Sequence, residues 1–401
     1  MTFFSILFFL LISYEKLAIL GIGIPSVIGF KHLLVALIVF LISLGKELKV
    51  DYRLLILSLF LLIYILVSAY LSEMSPTSFF ISFLFMIYPI SILILGRSLH
   101  LSRGFVNRLI YRSVLVAIVC AVPALFFQLL GFDLRLNSWM YREAGALGSA
   151  MVVTVIFCIY LLKESHISNK KFMYLVTIPI FIVLASVLKK NLIMLSLVFF
   201  TLYYFERHRF SKQQIRFLSV TLVAGVLIMT PMILINIQDN IDYFVNVGSE
   251  GHIRIAMYLT AININFDTNG LGSGLGSFGS LGSLVSSIGS SGIIYELSDV
   301  YYQYGINNIA GNSAEKLNQG EAGTLLDTFW PHIIGELGVI GSLLYLSILG
   351  RVLSFGSSDY LPSLAIISVY FDGLFLIIPE SPLFIFYSFF LASLALGVKR
   401  A

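Results

Sequence analysis

Apolar runs long enough to cross a lipid bilayer recur along almost the whole of this chain, and no water-soluble fold can bury them all. A helix needs about 20 apolar residues to span the hydrocarbon layer. Runs of that order lie at 3–22, 32–46, 53–71, 78–96, 109–131, 146–163, 172–188, 191–206, 216–236, 332–352, 360–379 and 382–398. With 58% of 401 residues hydrophobic and 11% charged, a single soluble core would leave most of this surface in water. The pattern therefore predicts an all-α polytopic membrane protein with about twelve transmembrane helices. Its first run is the least regular: Glu15 and Lys16 interrupt it, and LAILGIGIPSVIGF is either its continuation or a separate re-entrant segment. Lacking a basic start and a small-residue cleavage site, that run reads as a retained helix and not a signal peptide.

The cations orient the runs, because short cytoplasmic loops collect Lys and Arg. Every second loop is basic: Lys46, Lys49 and Arg53; Arg97, Arg103, Arg108 and Arg112; Lys163, Lys170 and Lys171; Arg207, Arg209, Lys212 and Arg216; then Arg351, and finally Lys399 and Arg400. Both termini are thus expected in the cytoplasm. The domains follow: membrane helices 1 to 9 over 1–236, a large extracytoplasmic (periplasmic) loop over 237–331, and helices 10 to 12 over 332–401. A formal net charge of +4, spread over these clusters, gives no reason to expect a nucleic-acid partner. Cys120 and Cys158 both lie inside apolar runs and read as packing, with neither a disulfide framework nor a metal site.

The 237–331 loop carries nine carboxylates against two strong cations, Arg254 and Lys316. Within GHIRIAMYLTAININF the apolar spacing is that of an amphipathic helix with Arg254 and Tyr258 on one face. A guanidinium there can clasp a diphosphate in a two-pronged geometry, or it can neutralise an acid such as Glu250. The glycine and serine tract that follows contains G-x-G-x-x-G at Gly274, Gly276 and Gly279. A dinucleotide fingerprint needs a strand before it and a helix after it, so the tract reads instead as a linker or a place where backbone approaches a ligand closely.

Further candidates lie where the chain re-enters the membrane and on the outward turns. Pro331 suits the first turn of a helix, Trp330 suits the lipid interface, and Asp327 then projects just outside. Glu336 falls one to two turns into that span, where an ionisable side chain is costly and faces the protein interior. His332 has no second imidazole or fixed carboxylate to work with and reads as an interfacial or helix-end residue. Asp372 is the most deeply placed acid of the later spans, either functional or paired structurally. Arg142, Lys189 and Lys190 are cations on the cation-poor side; singly each reads as a snorkelling helix end, and together they suit an anionic lipid-linked substrate.

These features resemble the O-antigen polymerase and ligase superfamily, in particular its Wzy-type polymerases. The resemblance rests on about twelve spans, one long outward loop before the third-last span, Arg254 near its opening, the NGLGSGLGSF run, Asp327, and E-x-G-x-x-G at Glu336, Gly338 and Gly341. The R-x-x-G at Arg142 to Gly145 resembles the family's motif ahead of a middle span. The resemblance implies a GT-C-like membrane glycosyltransferase of the bacterial cytoplasmic (inner) membrane, and with no metal-ligand cluster visible in the sequence no metal or cofactor is expected. Such an enzyme polymerises polysaccharide repeat units on polyprenyl diphosphate. Its catalytic residues would be Arg254 and Asp327, with Arg142, Lys189, Lys190, Tyr258, His332, Glu336 and Asp372 binding substrate. Expected partners are the polyprenyl diphosphate-linked oligosaccharide, membrane lipid and a chain-length regulator protein.

Two departures matter. Where the family carries a Ser-Arg pair, Ser186 is followed by Val187, Leu188 and Lys189, so that lysine replaces a planar fork. Where ligases carry a histidine before the glutamate, this chain has Asp327, which favours polymerase over ligase. The alternatives are a ligase handing glycan to a lipid or protein acceptor, and a flippase or transporter for lipid-linked sugars.

Overall fold

The computed structural model describes residues 2–19, 30–49, 51–71, 76–130, 144–186, 189–206, 253–275, 329–353, 360–374 and 382–398, with three single positions between 220 and 227. In chain order these form α1 (Thr2–Ile19), α2 (Phe30–Ser43), α3 (Tyr52–Leu71), α4 (Pro76–Ser98), α5 (Arg103–Leu129), α6 (Ala144–Lys163), α7 (Asn169–Ala185) and α8 (Lys189–Glu206). Then come α9 (Ile253–Asp267), α10 (Phe329–Leu353), α11 (Tyr360–Asp372) and α12, which runs from Pro382–Phe384 through a π-helical stretch, Ile385–Phe390, to Leu391–Gly397. Apart from one isolated antiparallel bridge between Leu48 and Leu99, the described residues contain no β-structure.

This is an all-α membrane protein. Among the described residues, four helices are long and apolar enough to cross a bilayer: Tyr52–Leu71, Arg103–Phe126, Gly145–Lys163 and Phe329–Leu353. Five shorter apolar helices join them, at Leu33–Ser43, Ser82–Ser98, Lys190–Thr201, Tyr360–Asp372 and Pro382–Gly397. The run expected at 216–236, and most of the expected 237–331 loop, lie outside the described residues.

The middle of the bundle is α6, 89% of whose spanning window is buried; a helix apolar all round is the kind that sits inside other helices. Against it pack α7, α11 and α5, and α12, where Ile385 to Leu394 are all buried, touches it through Tyr387. Polar groups inside this apolar contact are matched, as the Thr154 Oγ1 and Tyr387 Oη pair at 2.8 Å shows. Cys120 and Cys158 are packed in the same core. At the periphery α3 has only 22% of its window buried and presents Leu55, Leu59, Phe60, Ile63 and Leu66 outward, as a lipid-facing helix must.

Contacts between loops sort the helix ends into two groups. At one end Lys49 N–H donates to Ser98 O at 2.9 Å, and Arg103 pairs with Glu164. The Lys163 ammonium lies 5.0 Å from the Tyr360 ring centroid, and Arg351 pairs with Asp51 at 2.7 Å. Arg97 donates to Arg351 O and Val352 O, two of the carbonyls a helix C-terminus leaves unmatched. Among the described residues, the cation-bearing loops around Lys49, Arg97 to Arg103, Lys163 and Arg351 are thus gathered at one end of the bundle. Burial alone would raise the Asp51 carboxyl, but the Arg53 N–H and the Arg351 and Arg97 guanidiniums hold it below the ordinary carboxylate value.

Candidate functional site

The opposite end is poor in cations, and there four helix ends bring polar side chains together. Lys190, in the first turn of α8, places Nζ 3.1 Å from Asp372 Oδ1 at the end of α11 and 3.3 Å from Ser149 Oγ on α6. The ion pair is buried, with side-chain exposures of 10% for Lys190 and 4% for Asp372. Ser149 Oγ also lies 3.2 Å from Asn191 Oδ1 and 2.9 Å from Gly145 O. Asn191 is 1% exposed, and its Nδ2 makes no hydrogen bond, a deficit that costs about 1 to 3 kcal/mol.

Local sequence explains why these groups meet. The Asn191 amide sits where a side chain at position 148 would be: a Cβ on Gly148 would lie 1.9 Å from Nδ2 and 3.3 Å from Ser186 Oγ. Ser186 follows α7 as its cap, its Oγ donating to Val183 O at 2.8 Å. Glycine at 148 therefore lets α6 accept the start of α8 closely.

Elsewhere in the bundle α10 is broken at Gly338, and a second chain segment fills the break. Gly338 adopts φ 66°, ψ −172°, which stops the first half-helix and frees its last four carbonyls. Each is taken by a donor from elsewhere. Ile334 O accepts from Asn265 Nδ2 at 2.9 Å, Gly335 O from Ser273 N–H at 2.9 Å and Glu336 O from Gly274 N–H at 3.1 Å. Leu337 O accepts from the Tyr64 hydroxyl at 2.7 Å. In return Val339 N–H donates to Gly270 O at 3.0 Å. Within a bilayer such satisfaction is compulsory, because no water is there to take the freed groups.

The approach is possible only for glycine. Gly272 has φ +76°, and a Cβ on it would lie 2.4 Å from Gly338 N; one on Gly338 would lie 2.2 Å from Gly270 O. The described part of the glycine tract is therefore neither a loose linker nor a ligand cradle, because its close backbone neighbour is α10 itself. Of the G-x-G-x-x-G glycines, only Gly274 falls within the described residues.

Tyr64 Oη also lies 2.8 Å from Leu271 O, so the single proton of this α3 hydroxyl is shared between a carbonyl of α10 and one of the inserted segment. Tyr64→Phe leaves a carbonyl unmatched and is expected to lower stability by about 1 to 3 kcal/mol. A drop in thermal unfolding temperature in detergent, with function otherwise retained, checks this.

Glu336 and His332 lie one turn apart on the first half of α10, and both are buried, at 0% and 1% exposure. Glu336 faces the interior as its cost in lipid requires. His332 lies in the first turn of α10, the helix-end position, and is turned inward, its ring packing edge-on against Phe329 at 5.3 Å and 79°. The reason is the aromatic group at this helix start, in which Trp330 turns inward to donate to Tyr370 O at 2.9 Å and Tyr345 pairs with Tyr370 at 2.9 Å.

Among the other sequence candidates, Tyr258 on α9 donates to Leu374 O at 3.1 Å, two residues beyond Asp372. Arg254 stands one turn earlier on α9 and Lys189 begins α8; their side chains lie outside the described residues, as do Arg142 and Asp327 altogether. Asp372 and Lys190, read separately from sequence, are brought together. Ser149 and Asn191 escaped notice because a serine in an apolar run and an asparagine behind two lysines carry no spacing signal. No three of His, Cys, Asp and Glu gather in a metal-holding group among the described residues. Compared with protein-family models, with curated proteins and with solved structures, the chain finds no match in any of the three.

Proposed function

We propose that this protein is a membrane glycosyltransferase that polymerises lipid-linked repeat units at the outer face of a bacterial cytoplasmic membrane. The observation that carries the reading is a convergence at the cation-poor end of the bundle. There α9, which bears Arg254, is tied through Tyr258 to the chain just past Asp372, and Asp372 holds Lys190. The reading also draws on the resemblance to Wzy-type polymerases, and with it come about twelve spans, a GT-C-like architecture and cytoplasmic termini.

In this reading the growing chain on polyprenyl diphosphate is the donor. The bond from its anomeric carbon to the diphosphate oxygen breaks, and the diphosphate leaves with the electron pair. A sugar hydroxyl of the incoming lipid-linked unit forms the new glycosidic bond, its proton passing to a carboxylate for which Asp327 is the candidate. Arg254, with Arg142 and Lys189, stabilises the charge that develops on the diphosphate. The test is Arg254→Ala in cells making the polymer. The expected result is loss of the long-chain ladder on gels with single-unit product retained, and an unchanged ladder overturns Arg254's role.

One observation favours a transporter of lipid-linked sugars instead, since transporters commonly build their sites on broken helices. In such sites the unwound backbone faces substrate, whereas here all four freed carbonyls of α10 are bonded to protein groups. Polymer made from repeat units already on the outer face would separate the two.

A further inference from the structure

The cations at the basic end of the bundle fall into two groups by what they touch. Arg97, Arg103 and Arg351 are engaged by protein groups: two backbone carbonyls, Glu164 and Asp51. Arg108 and Arg112 on α5, with Lys170 and Lys171 in the first turn of α7, are exposed, and none of these four pairs with a carboxylate among the described residues. The two pairs flank a single contact. Tyr111, which stands between the arginines, meets His166 in the loop that leads to α7, edge-on at 5.8 Å and 69°, and α5 packs along α7.

Each pair heads a stripe that faces lipid. On α5, Arg108, Arg112, Leu115, Val119, Val122 and Phe126 recur in steps of three and four and so share one face, and its last three side chains are exposed. On α7, Lys170, Tyr174, Thr177 and Phe181 repeat the pattern, with Tyr174 and Phe181 exposed. At about 1.5 Å per residue, the end of α5 at Leu129 stands about 25 Å beyond Arg112, most of the hydrocarbon thickness of about 30 Å. The arginines are therefore at the level of the lipid phosphates. Orienting the chain does not require this placement, since a cation anywhere in a short loop serves topology. Basic sites between membrane helices at this level suit anionic headgroups, whereas a zwitterionic headgroup would bring its own ammonium against four cations. We infer that Arg108, Arg112, Lys170 and Lys171 form a binding site for one anionic phospholipid, its phosphate between α5 and α7 and its acyl chains along Val119, Val122 and Tyr174. The site does not depend on whether the protein polymerises or transports.

The experiment titrates the full chain in detergent with phosphatidylglycerol, phosphatidylcholine and inorganic phosphate, and counts bound lipid by native mass spectrometry. One phosphatidylglycerol per chain is expected to be held in preference to phosphatidylcholine and to resist inorganic phosphate, which has no acyl chains to lay along the helices. Arg108→Gln/Arg112→Gln and Lys170→Gln/Lys171→Gln should each weaken this binding about thirty-fold, about five-fold for each cation removed. All four side chains are exposed, so both variants are expected to fold, and the two pairs test the site from different helices. Lys46→Gln/Lys49→Gln removes the same charge from another exposed pair at the same end and should leave binding unchanged. The inference is overturned if phosphatidylcholine is held as firmly as phosphatidylglycerol or if inorganic phosphate displaces the lipid. It is equally overturned if either cluster variant binds as the parent does, or if the Lys46 and Lys49 variant loses as much as they do.

Discussion

Asp372→Ala destabilises the protein by about 3 to 5 kcal/mol, because it removes the carboxylate paired with the buried Lys190 ammonium. The geometry sets the size of the effect: the pair is 3.1 Å apart and 10% and 4% exposed, where water can do little for a lone ion. Removing both charges tells the complementary story. Lys190→Met/Asp372→Leu keeps volume and deletes the whole desolvation cost, so its stability lies close to that of the parent. The double-mutant cycle therefore shows a large favourable coupling although the pair adds little net stability. Reversible unfolding in mixed micelles measures all three variants. Single-mutant losses under about 1 kcal/mol, the range of exposed pairs, would show that the two side chains do not meet in the membrane.

Gly272→Ala and Gly338→Ala come next in size, and each is expected to undock α9 from the break in α10. Two costs combine. Each glycine has a left-handed φ, +76° and +66°, and each added Cβ would lie within 2.4 Å of backbone atoms that cannot move aside. Gly45 separates the two costs, since its φ is +68° but nothing lies within 4 Å of its Cβ position. Gly45→Ala is expected to cost about 1 kcal/mol, the conformational term alone. The other two lose in addition the bonds that Ser273 and Gly274 N–H make to Gly335 O and Glu336 O. Amide hydrogen exchange at Ser273 and Gly274 reads this directly: fast exchange in both variants, slow exchange in Gly45→Ala. Because the two substitutions break one contact, combining them adds little beyond either alone. Protected amides in Gly272→Ala would contradict the interlock.

Hydropathy and charge placed the helices well, and for a local reason. Whether twenty residues suit a bilayer is a property of those residues, so α3, α5, α6 and α10 coincide with runs visible in the chain. The alternation of cations likewise separated the loops that meet around Arg97, Arg351 and Asp51 from the end that holds Lys190 and Asp372. Glu336 was legible too, since a carboxylate in lipid has nowhere to face but inward. The burial of His332 was not: its ring packs on Phe329, which is itself held by Trp330, Tyr345 and Tyr370, and those rings come from two helices.

Pairing lay beyond the reach of the chain order. Lys190 and Asp372 are separated by 182 positions, and each alone fits a snorkelling cation or a lone intramembrane acid. Tyr64 and Leu337, 273 positions apart, carry no mark of belonging together. The glycine tract shows the division most clearly. Its composition announces freedom of backbone, yet what that freedom serves, four carbonyls released by Gly338 and recaptured by the segment after α9, exists only once the helices are packed. Solvation cost sums residue by residue along a chain, whereas a hydrogen bond needs two groups within about 3 Å, and only packing brings distant residues that close.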